Sequence, residues 1–114
     1  MSRKPHRSYW LLATLLLLAC KREKETRLVQ YEVVCNGCEV TYENQDNDRK
    51  DVEVESGFNF QFETDPKDKV YLKAVKTNLV SGTALVRIRV DGDLLWSDAT
   101  TAYLGSATAE GQVP

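Results

Sequence analysis

The run Phe58-Asn59-Phe60-Gln61-Phe62-Glu63 decides the fold class, because aromatic and polar side chains alternate at every position. Successive side chains of a β-strand point to opposite faces, so this period of two puts three rings on one face and three polar groups on the other. The run therefore predicts a half-buried strand. Packing of the rings in a core is the favoured interpretation, and a ligand groove lined by them is the alternative.

The same period of two extends in both directions from this strand. Further strands are predicted at residues 29–33, 40–42, 52–54, 70–74, 86–90 and 94–96, with a last strand near Ser106–Glu110. Turn or loop signals separate them, at residues 44–50, 56–57, 65–68, 77–83 and 91–92. Seven or eight short strands without a helical pattern predict an all-β, antiparallel β-sandwich or small barrel over residues 28–114.

The first 19 residues have the anatomy of an export signal. Arg3, Lys4 and Arg7 precede an apolar run over residues 10–19. A helix that spans a bilayer needs about 20 apolar residues, whereas the core of a helical signal peptide needs about 7–15. The run is too short to span a membrane, and the charged residues 21–25 end it. We therefore predict a signal peptide over residues 1–19.

The apolar run ends in Leu17-Leu18-Ala19-Cys20, which resembles the lipobox of bacterial lipoproteins. Cleavage needs a small residue before the cut, and the thiol after it accepts the lipid; two or more acyl chains give a stable anchor. We predict lipidation of Cys20, with residues 20–27 as the lipidated cysteine and a charged tether. Lys21 stands where enteric-type sorting uses Asp for inner-membrane retention, which predicts an outer-membrane anchor facing the periplasm. A buried cysteine that ends an ordinary hydrophobic helix is the alternative.

The composition of the remaining chain argues against several functions. Residues 20–114 carry 12 of the 15 Lys and Arg residues and all 17 Asp and Glu residues, which gives a formal charge of −5. Nucleic-acid binding begins with neutralisation of phosphates by clustered cations, so no nucleic-acid partner is expected. The single histidine, His6, lies in the predicted signal peptide, which removes the commonest general base and metal ligand. We predict no catalytic residue, no metal site and no cofactor other than the covalent lipid on Cys20.

The sharpest local motif is Cys35-Asn36-Gly37-Cys38. Asn-Gly favours a two-residue hairpin turn, which would place the two cysteines at opposed strand positions within disulfide range. In an exported protein this predicts a structural disulfide. The alternative is a redox-active pair, but redox Cys-x-x-Cys motifs usually place the first thiol at a helix N-terminus, and strand patterns flank this motif.

Two other polar clusters have simpler structural interpretations. The acidic residues Glu43, Asp46, Asp48 and Asp51 suggest calcium, but the segment lacks the EF-hand glycine and places cations at ligand positions, so a solvated hairpin tip is favoured. Arg87 and Arg89 lie on the polar face of their predicted strand. We expect them to pair with acidic side chains on a neighbouring strand.

The ordered set of strands resembles the MmpS family of small mycobacterial membrane proteins, to which small lipoproteins of other bacteria are related. The resemblance covers about residues 29–110 and is carried by residues 31–33, 40–44, 58–62, 70–74 and 86–92. It implies an immunoglobulin-like β-sandwich on the outer side of a membrane and an accessory role beside a large proton-driven exporter of lipids or siderophores. The N-terminus departs from the family, because a lipobox replaces the transmembrane helix. The resemblance implies no catalytic residues in this sequence.

These features predict a non-enzymatic envelope lipoprotein, held to the membrane by its lipid, which binds or supports another envelope component such as a transporter. The first alternative is a periplasmic thiol–disulfide redox protein that uses Cys35 and Cys38. The second is a structural surface protein that associates through the edges of its sheets.

Overall fold

The computed structural model describes residues 25–114, and all regular structure in this part of the chain is β-strand. The eight strands are β1 (Arg27–Val34), β2 (Cys38–Glu43), β3 (Arg49–Val54), β4 (Gly57–Thr64), β5 (Lys69–Lys76), β6 (Ala84–Val90), β7 (Asp93–Thr100) and β8 (Ser106–Gln112). Within residues 25–114, no helix is long and apolar enough to cross a bilayer. The predicted signal peptide and Cys20 lie outside the described residues.

All neighbouring strands pair antiparallel and form two sheets, ordered β4-β1-β6-β7 and β3-β2-β5-β8. The predicted all-β, antiparallel sandwich is therefore confirmed. Among the described strands, only the β2–β3 and β6–β7 connections join neighbours within one sheet, and every other connection crosses to the opposite sheet. The strand domain begins at Arg27, one residue before the predicted boundary.

Strand boundaries depart from the prediction where the stabilising contacts are polar. The stretch 44–50 is predicted as a loop, but β3 already begins at Arg49, which pairs with Glu43 across the hairpin at 3.1 Å. Asp51 likewise accepts a hydrogen bond from the Thr41 hydroxyl at 2.6 Å. Cross-strand polar pairs support strand structure without apolar alternation. Strand β7 continues to Thr100, beyond the predicted residues 94–96, along its pairing with β6.

The core lies between the two sheets and consists of the inward side chains that the alternation predicts. Seventeen buried apolar residues form one cluster. Tyr31 of β1 reaches across this core: its hydroxyl donates to the Glu43 carbonyl at 2.7 Å and accepts from the Tyr71 backbone N–H at 3.3 Å. Burial raises the pKa of the Tyr31 phenol, so the hydroxyl stays protonated. One side chain therefore ties the first sheet to two strands of the second.

The aromatic row on β4 packs in the core, as the alternation predicts. Phe62 is buried, and Phe58 and Phe60 are half-buried against the core cluster. Tyr42 of the opposite sheet lies 5.0 Å from Phe58 and 4.9 Å from Phe60, measured between ring centroids. These separations are typical of favourable aromatic pairs. The rings therefore join the two sheets along one side of the sandwich.

The other side of the sandwich is closed by edge strands β7 and β8. The Asp98 carboxylate on β7 accepts a hydrogen bond from the Thr108 backbone N–H on β8 at 3.0 Å. Gly111 lies directly against the indole of Trp96, and a Cβ at position 111 would fall 2.1 Å from ring atoms. A side chain at this position of β8 therefore has no room.

The sandwich has two chemically different ends. Strand β1 starts at what we call the proximal end, together with the connections 44–48, 65–68 and 91–92. Because all pairings are antiparallel, the connections 35–37, 55–56, 77–83 and 101–105 gather at the opposite end, which we call the distal end. The segment that would link the domain to Cys20 enters at the proximal end. Any partner that binds the distal end meets the chain far from that segment.

The predicted pairing of Arg87 and Arg89 with a neighbouring acid is confirmed. Both guanidinium groups donate to the same oxygen of Glu32, each at 3.1 Å. The hydrogen bonds from Arg89 and then from Arg87 lower the pKa of the Glu32 carboxyl. The three side chains are each about one-third exposed, so together they contribute at most about 1 kcal/mol to stability.

The Glu32 cluster predicts a pH-dependent contribution to stability. Because the pKa is lowered in the folded state, the contribution is complete above the pKa of the unfolded chain and is lost as pH falls through the folded value. Urea denaturation should show Glu32→Gln less stable than wild type at pH 7, by at most about 1 kcal/mol. The difference between the two chains should shrink as pH falls below the lowered pKa of Glu32. A difference that does not change with pH would contradict this prediction.

Candidate functional site at the distal end

The structure brings Cys35 and Cys38 together in a disulfide, with their Cα atoms 6.1 Å apart. The predicted hairpin between them is wrong, however. Strand β1 belongs to one sheet and β2 to the other, so residues 35–37 form an arch across the end of the sandwich. Both cysteines are buried, at 3% and 1% exposure. The disulfide therefore links the two ends of the arch and does not join two paired positions of a hairpin.

Backbone hydrogen bonds tie the arch to the neighbouring distal connections. The Cys35 N–H donates to the Ser56 carbonyl at 3.4 Å, and the Thr77 N–H donates to the Gly37 carbonyl at 3.1 Å. Gly37 has a φ of 90°, and a Cβ there would lie 3.0 Å from the Cβ of Asn78. Glycine is thus needed for both the backbone conformation and the close approach of the 77–83 loop.

Lys76, at the end of β5, holds the distal loops from inside. It is 2% exposed, and its ammonium donates to the carbonyl of Asn78 at 2.6 Å and to that of Val80. Its backbone also exchanges hydrogen bonds with the 101–105 connection, from Leu104 N–H and to the Gly105 carbonyl. A buried lysine needs such acceptors, because an unpaired buried charge is costly. One residue therefore organises two loops.

Lys76 is not among the predicted site residues, although the sequence carries a signal for it. The inward row of β5 runs Val70, Leu72, Ala74 and then Lys76, so the period of two places a cation on the core face. Lys76 also lies opposite Cys38 in the register of β2 and β5. A lysine in an apolar row predicts that buried oxygen atoms accept hydrogen bonds from its ammonium group. The alternation alone does not reveal which loop supplies those oxygen atoms.

Large apolar side chains are exposed at the distal end. Leu79 is 79% exposed at the tip of the 77–83 loop, beside the exposed Val80. We define the distal apolar surface by the following exposed residues: Val34, Leu79, Val80, Tyr103 and Leu104. The connections 35–37, 77–83 and 101–105 contain no charged residue, whereas the proximal connections 44–48 and 65–68 carry several acids. These three distal connections therefore present exposed apolar side chains without charge, whereas the fourth distal connection carries Glu55 and the proximal connections carry several acids.

The predicted calcium alternative finds no supporting geometry in the acidic loop. The Asn44 side-chain oxygen accepts the backbone N–H groups of Asp46 and Asp48, at 3.0 Å and 3.1 Å, and so shapes the hairpin tip. Across residues 25–114, no three His, Cys, Asp or Glu side chains are grouped as metal ligands. The loop is built as a polar turn.

The disulfide should contribute modestly to stability. It closes a loop between residues only three positions apart, so the entropic contribution is about 2 kcal/mol. We expect the Cys35→Ala/Cys38→Ala variant to unfold at a lower urea concentration, by roughly this free energy. Reduced wild-type protein is the control, since it keeps both sulfur atoms in the core. Equal stability of the oxidised and reduced wild-type chains would contradict the prediction.

No protein-family model matches this chain, and no curated protein matches it at a significant level.

Proposed function

We propose that this chain is a lipid-anchored lipoprotein of the bacterial cell envelope and that its domain is a non-enzymatic binding module. Lipid on Cys20 attaches it to the membrane, by default the outer membrane on its periplasmic side. The distal apolar surface contacts another envelope component, such as the export system that the MmpS resemblance implies. The observation that carries the proposal is the distal apolar surface itself, a group of exposed apolar side chains at the end opposite to the start of β1.

The character of the distal surface supports a binding role. Exposed apolar side chains scattered singly need no explanation, but a group of them marks an interaction site. Leu79 and Val80 lie on one loop and Tyr103 and Leu104 on the next, and Lys76 bonds to both loops. Loops held in place before binding lose less conformational entropy when a partner arrives. The surface is thus suited to contact by a preformed apolar partner surface.

The burial of the disulfide supports a structural bridge over the redox alternative. Thiol–disulfide exchange requires a thiolate to reach one sulfur atom, so reactivity depends on access. Cys35 and Cys38 are both almost fully buried. If the redox alternative were correct, mild reductant would cycle the pair rapidly in the folded protein. The module proposal predicts a bond that resists such reduction and no reductase activity in the purified protein.

The anchor is tested by cell fractionation and mass spectrometry. Wild-type protein should sediment with membranes and begin at an acylated Cys20, whereas Cys20→Ala should lose the acyl mass. Cys35→Ala/Cys38→Ala is the matched control, because it removes thiols but keeps the lipobox. Intact residues 1–19 and an unmodified Cys20 in cell-extracted wild-type protein would refute the anchor.

The binding surface is tested by site-specific photo-crosslinking in the native cell. A crosslinker at Leu104 should capture one discrete envelope protein, and the same crosslinker at Asp46 on the proximal hairpin should not. Adding Leu79→Asp should abolish capture from position 104, because it places a charge in the apolar contact. Equal capture from both ends, or capture that Leu79→Asp leaves unchanged, would refute the distal surface as the binding site.

A further inference from the structure

The edge strands differ in how they are protected against pairing with another chain. Strand β3 carries four charged residues, and β7 has a register irregularity at Ile88/Arg89 of its partner. Strand β8 has one charged residue and no bulge, but it packs against β7, where Asp98 accepts a hydrogen bond from the Thr108 N–H. Strand β4 is paired with β1 along all eight of its residues without a bulge, and Glu63 is its single charged residue. Charges and bulges are the usual protection of sheet edges. Among the described strands, β4 is therefore the least protected edge.

On the side where β4 lies, the two sheets are joined by aromatic rings but the edge strands do not close over them. Edge strands β7 and β8 pack together, whereas β3 and β4 barely contact each other. Val52, on the inward face of β3, is consequently 37% exposed, and Phe58 and Phe60 are only half-buried. An unpaired edge and incompletely covered rings therefore coincide on one side of the molecule.

We propose that two copies of the chain associate through this edge, with β4 of one copy pairing antiparallel to β4 of the other around a two-fold axis at Phe60. The two sheets that contain β4 then become one continuous eight-stranded sheet. The contact is isologous, since the same strand serves on both sides. This association is independent of the proposed function, because it leaves both distal apolar surfaces uncovered.

The sequence of β4 is complementary to itself in this register. Phe60 meets Phe60 of the second copy, Phe58 meets Phe62, and Asn59 meets Gln61. Each aromatic side chain thus faces an aromatic one, and each amide faces an amide. Such cross-strand pairs contribute roughly 0.2–1 kcal/mol each, whereas like charges placed opposite each other are destabilising. Glu63 falls opposite Gly57, so the only acid on the strand meets no acid. This match favours a second copy over a strand of different sequence.

The geometry is compatible with two lipid anchors. Antiparallel pairing places the two proximal ends at opposite ends of the pair. Strands of eight residues are about 26 Å long, and the six residues 21–26 reach about 20 Å when extended. Two copies can therefore lie with their strands along a membrane, each tethered at its own end.

The test introduces charges at two exposed positions of β4. Asn59→Lys/Gln61→Lys places lysine opposite lysine in the pair, and Asn59→Glu/Gln61→Glu does the same with acids. Both side chains are exposed, and within one copy the Gln61 side chain accepts a hydrogen bond from the Gln30 amide at 3.5 Å. Ser97→Lys/Ala99→Lys, at exposed positions on edge strand β7, is the matched control.

Sedimentation velocity of the full mature chain in density-matched detergent gives the readout. Wild type and the β7 control should show a concentration-dependent dimer, and each β4 variant should raise its dissociation constant about tenfold or more. An equimolar mixture of the Lys and Glu variants should restore a dimer. Far-UV circular dichroism and melting confirm that each variant is folded.

Three results would overturn the proposal. The first is a wild-type protein that stays monomeric at all concentrations. The second is β4 variants that dimerise as well as wild type, which would place the contact elsewhere or in the shared micelle. The third is a different protein that co-purifies with a monomeric wild type and is lost from Asn59→Lys/Gln61→Lys, which would show that the edge receives another chain's strand.

Discussion

Tyr31→Ala is expected to lower the free energy of unfolding by about 3–5 kcal/mol, the range for removal of a large aromatic side chain from a core. Tyr31 is 1% exposed and packs against Phe62 at 5.3 Å between ring centroids. The substitution also leaves the Tyr71 N–H and the Glu43 carbonyl without the hydroxyl to which both bond. Packing and hydrogen bonding between the two sheets disappear together, so the effect should be among the largest of any single substitution.

Tyr31→Phe separates the two contributions, because it keeps the ring and removes only the hydroxyl. Its expected cost is about 1–3 kcal/mol, the cost of leaving buried polar groups unsatisfied. Urea denaturation gives both values. Tyr103→Ala is the matched control: this tyrosine is half-exposed on a distal loop, and its loss should change stability by no more than about 0.5 kcal/mol. A Tyr31→Phe chain as stable as wild type would show that the hydroxyl does not join the sheets.

Gly111→Ala is expected to cost about 3 kcal/mol, at the upper end of the usual range for overpacking. The new Cβ would fall 2.1 Å from two atoms of the Trp96 indole, far inside contact distance. Trp96 belongs to β7 and Gly111 to β8, so relief requires the indole to leave or the two strands to separate. Either movement opens the side of the sandwich that these strands close.

A double-mutant cycle tests the cause of this effect. In a Trp96→Ala background the methyl group at position 111 has space, so Gly111→Ala should cost less than about 1 kcal/mol there. Two substitutions in direct contact should therefore be strongly non-additive when measured by urea denaturation. A cost that stays the same in both backgrounds would show that Gly111 matters for its backbone and not for the indole.

The alternation of side chains predicts the strands well, because burial on one face is a local property of the sequence. Residues 58–62 and 86–90 show this clearly, as each inward row is the row that lies against the core. Alternation does not report which strand lies beside which. The assignment of β1 and β2 to different sheets depends on contacts with distant strands, and no short pattern encodes those contacts.

The turns at Asn36-Gly37 and Asp91-Gly92 are both predicted as two-residue hairpins, and only the second is one. A two-residue hairpin turn of the favoured type needs positive φ at both central residues. Asp91 and Gly92 satisfy this, with φ values of 50° and 87°, and they join β6 to β7. At Asn36-Gly37 only the glycine has positive φ, at 90°, and the chain crosses to the other sheet. The dipeptide predicts a sharp turn, but it does not determine whether the next strand joins the same sheet or the opposite one.

The candidate site is harder to predict from the sequence than the fold. Pairing of the two cysteines follows from their spacing, but the distal apolar surface does not. Leu79 and Leu104 are far apart in the chain, and each lies in a short segment without the alternation that marks a strand. The strand topology brings their two loops to one end of the domain, and the hydrogen bonds of Lys76 then hold both loops together. Surface clusters are set by tertiary contacts, whereas core rows are set by local alternation.

The position of β1 in its sheet has a kinetic consequence. Although it is the first strand of the domain to be synthesised, its neighbours are β4 and β6, and Val29 pairs with Val90. Most of the chain must therefore be present before the strand nearest the predicted anchor acquires both partners. Topologies dominated by such long-range pairing fold slowly, on a scale of milliseconds to seconds. The export that we propose would require an unfolded chain, and a sheet that is completed this late leaves the chain unfolded until most of it has been synthesised.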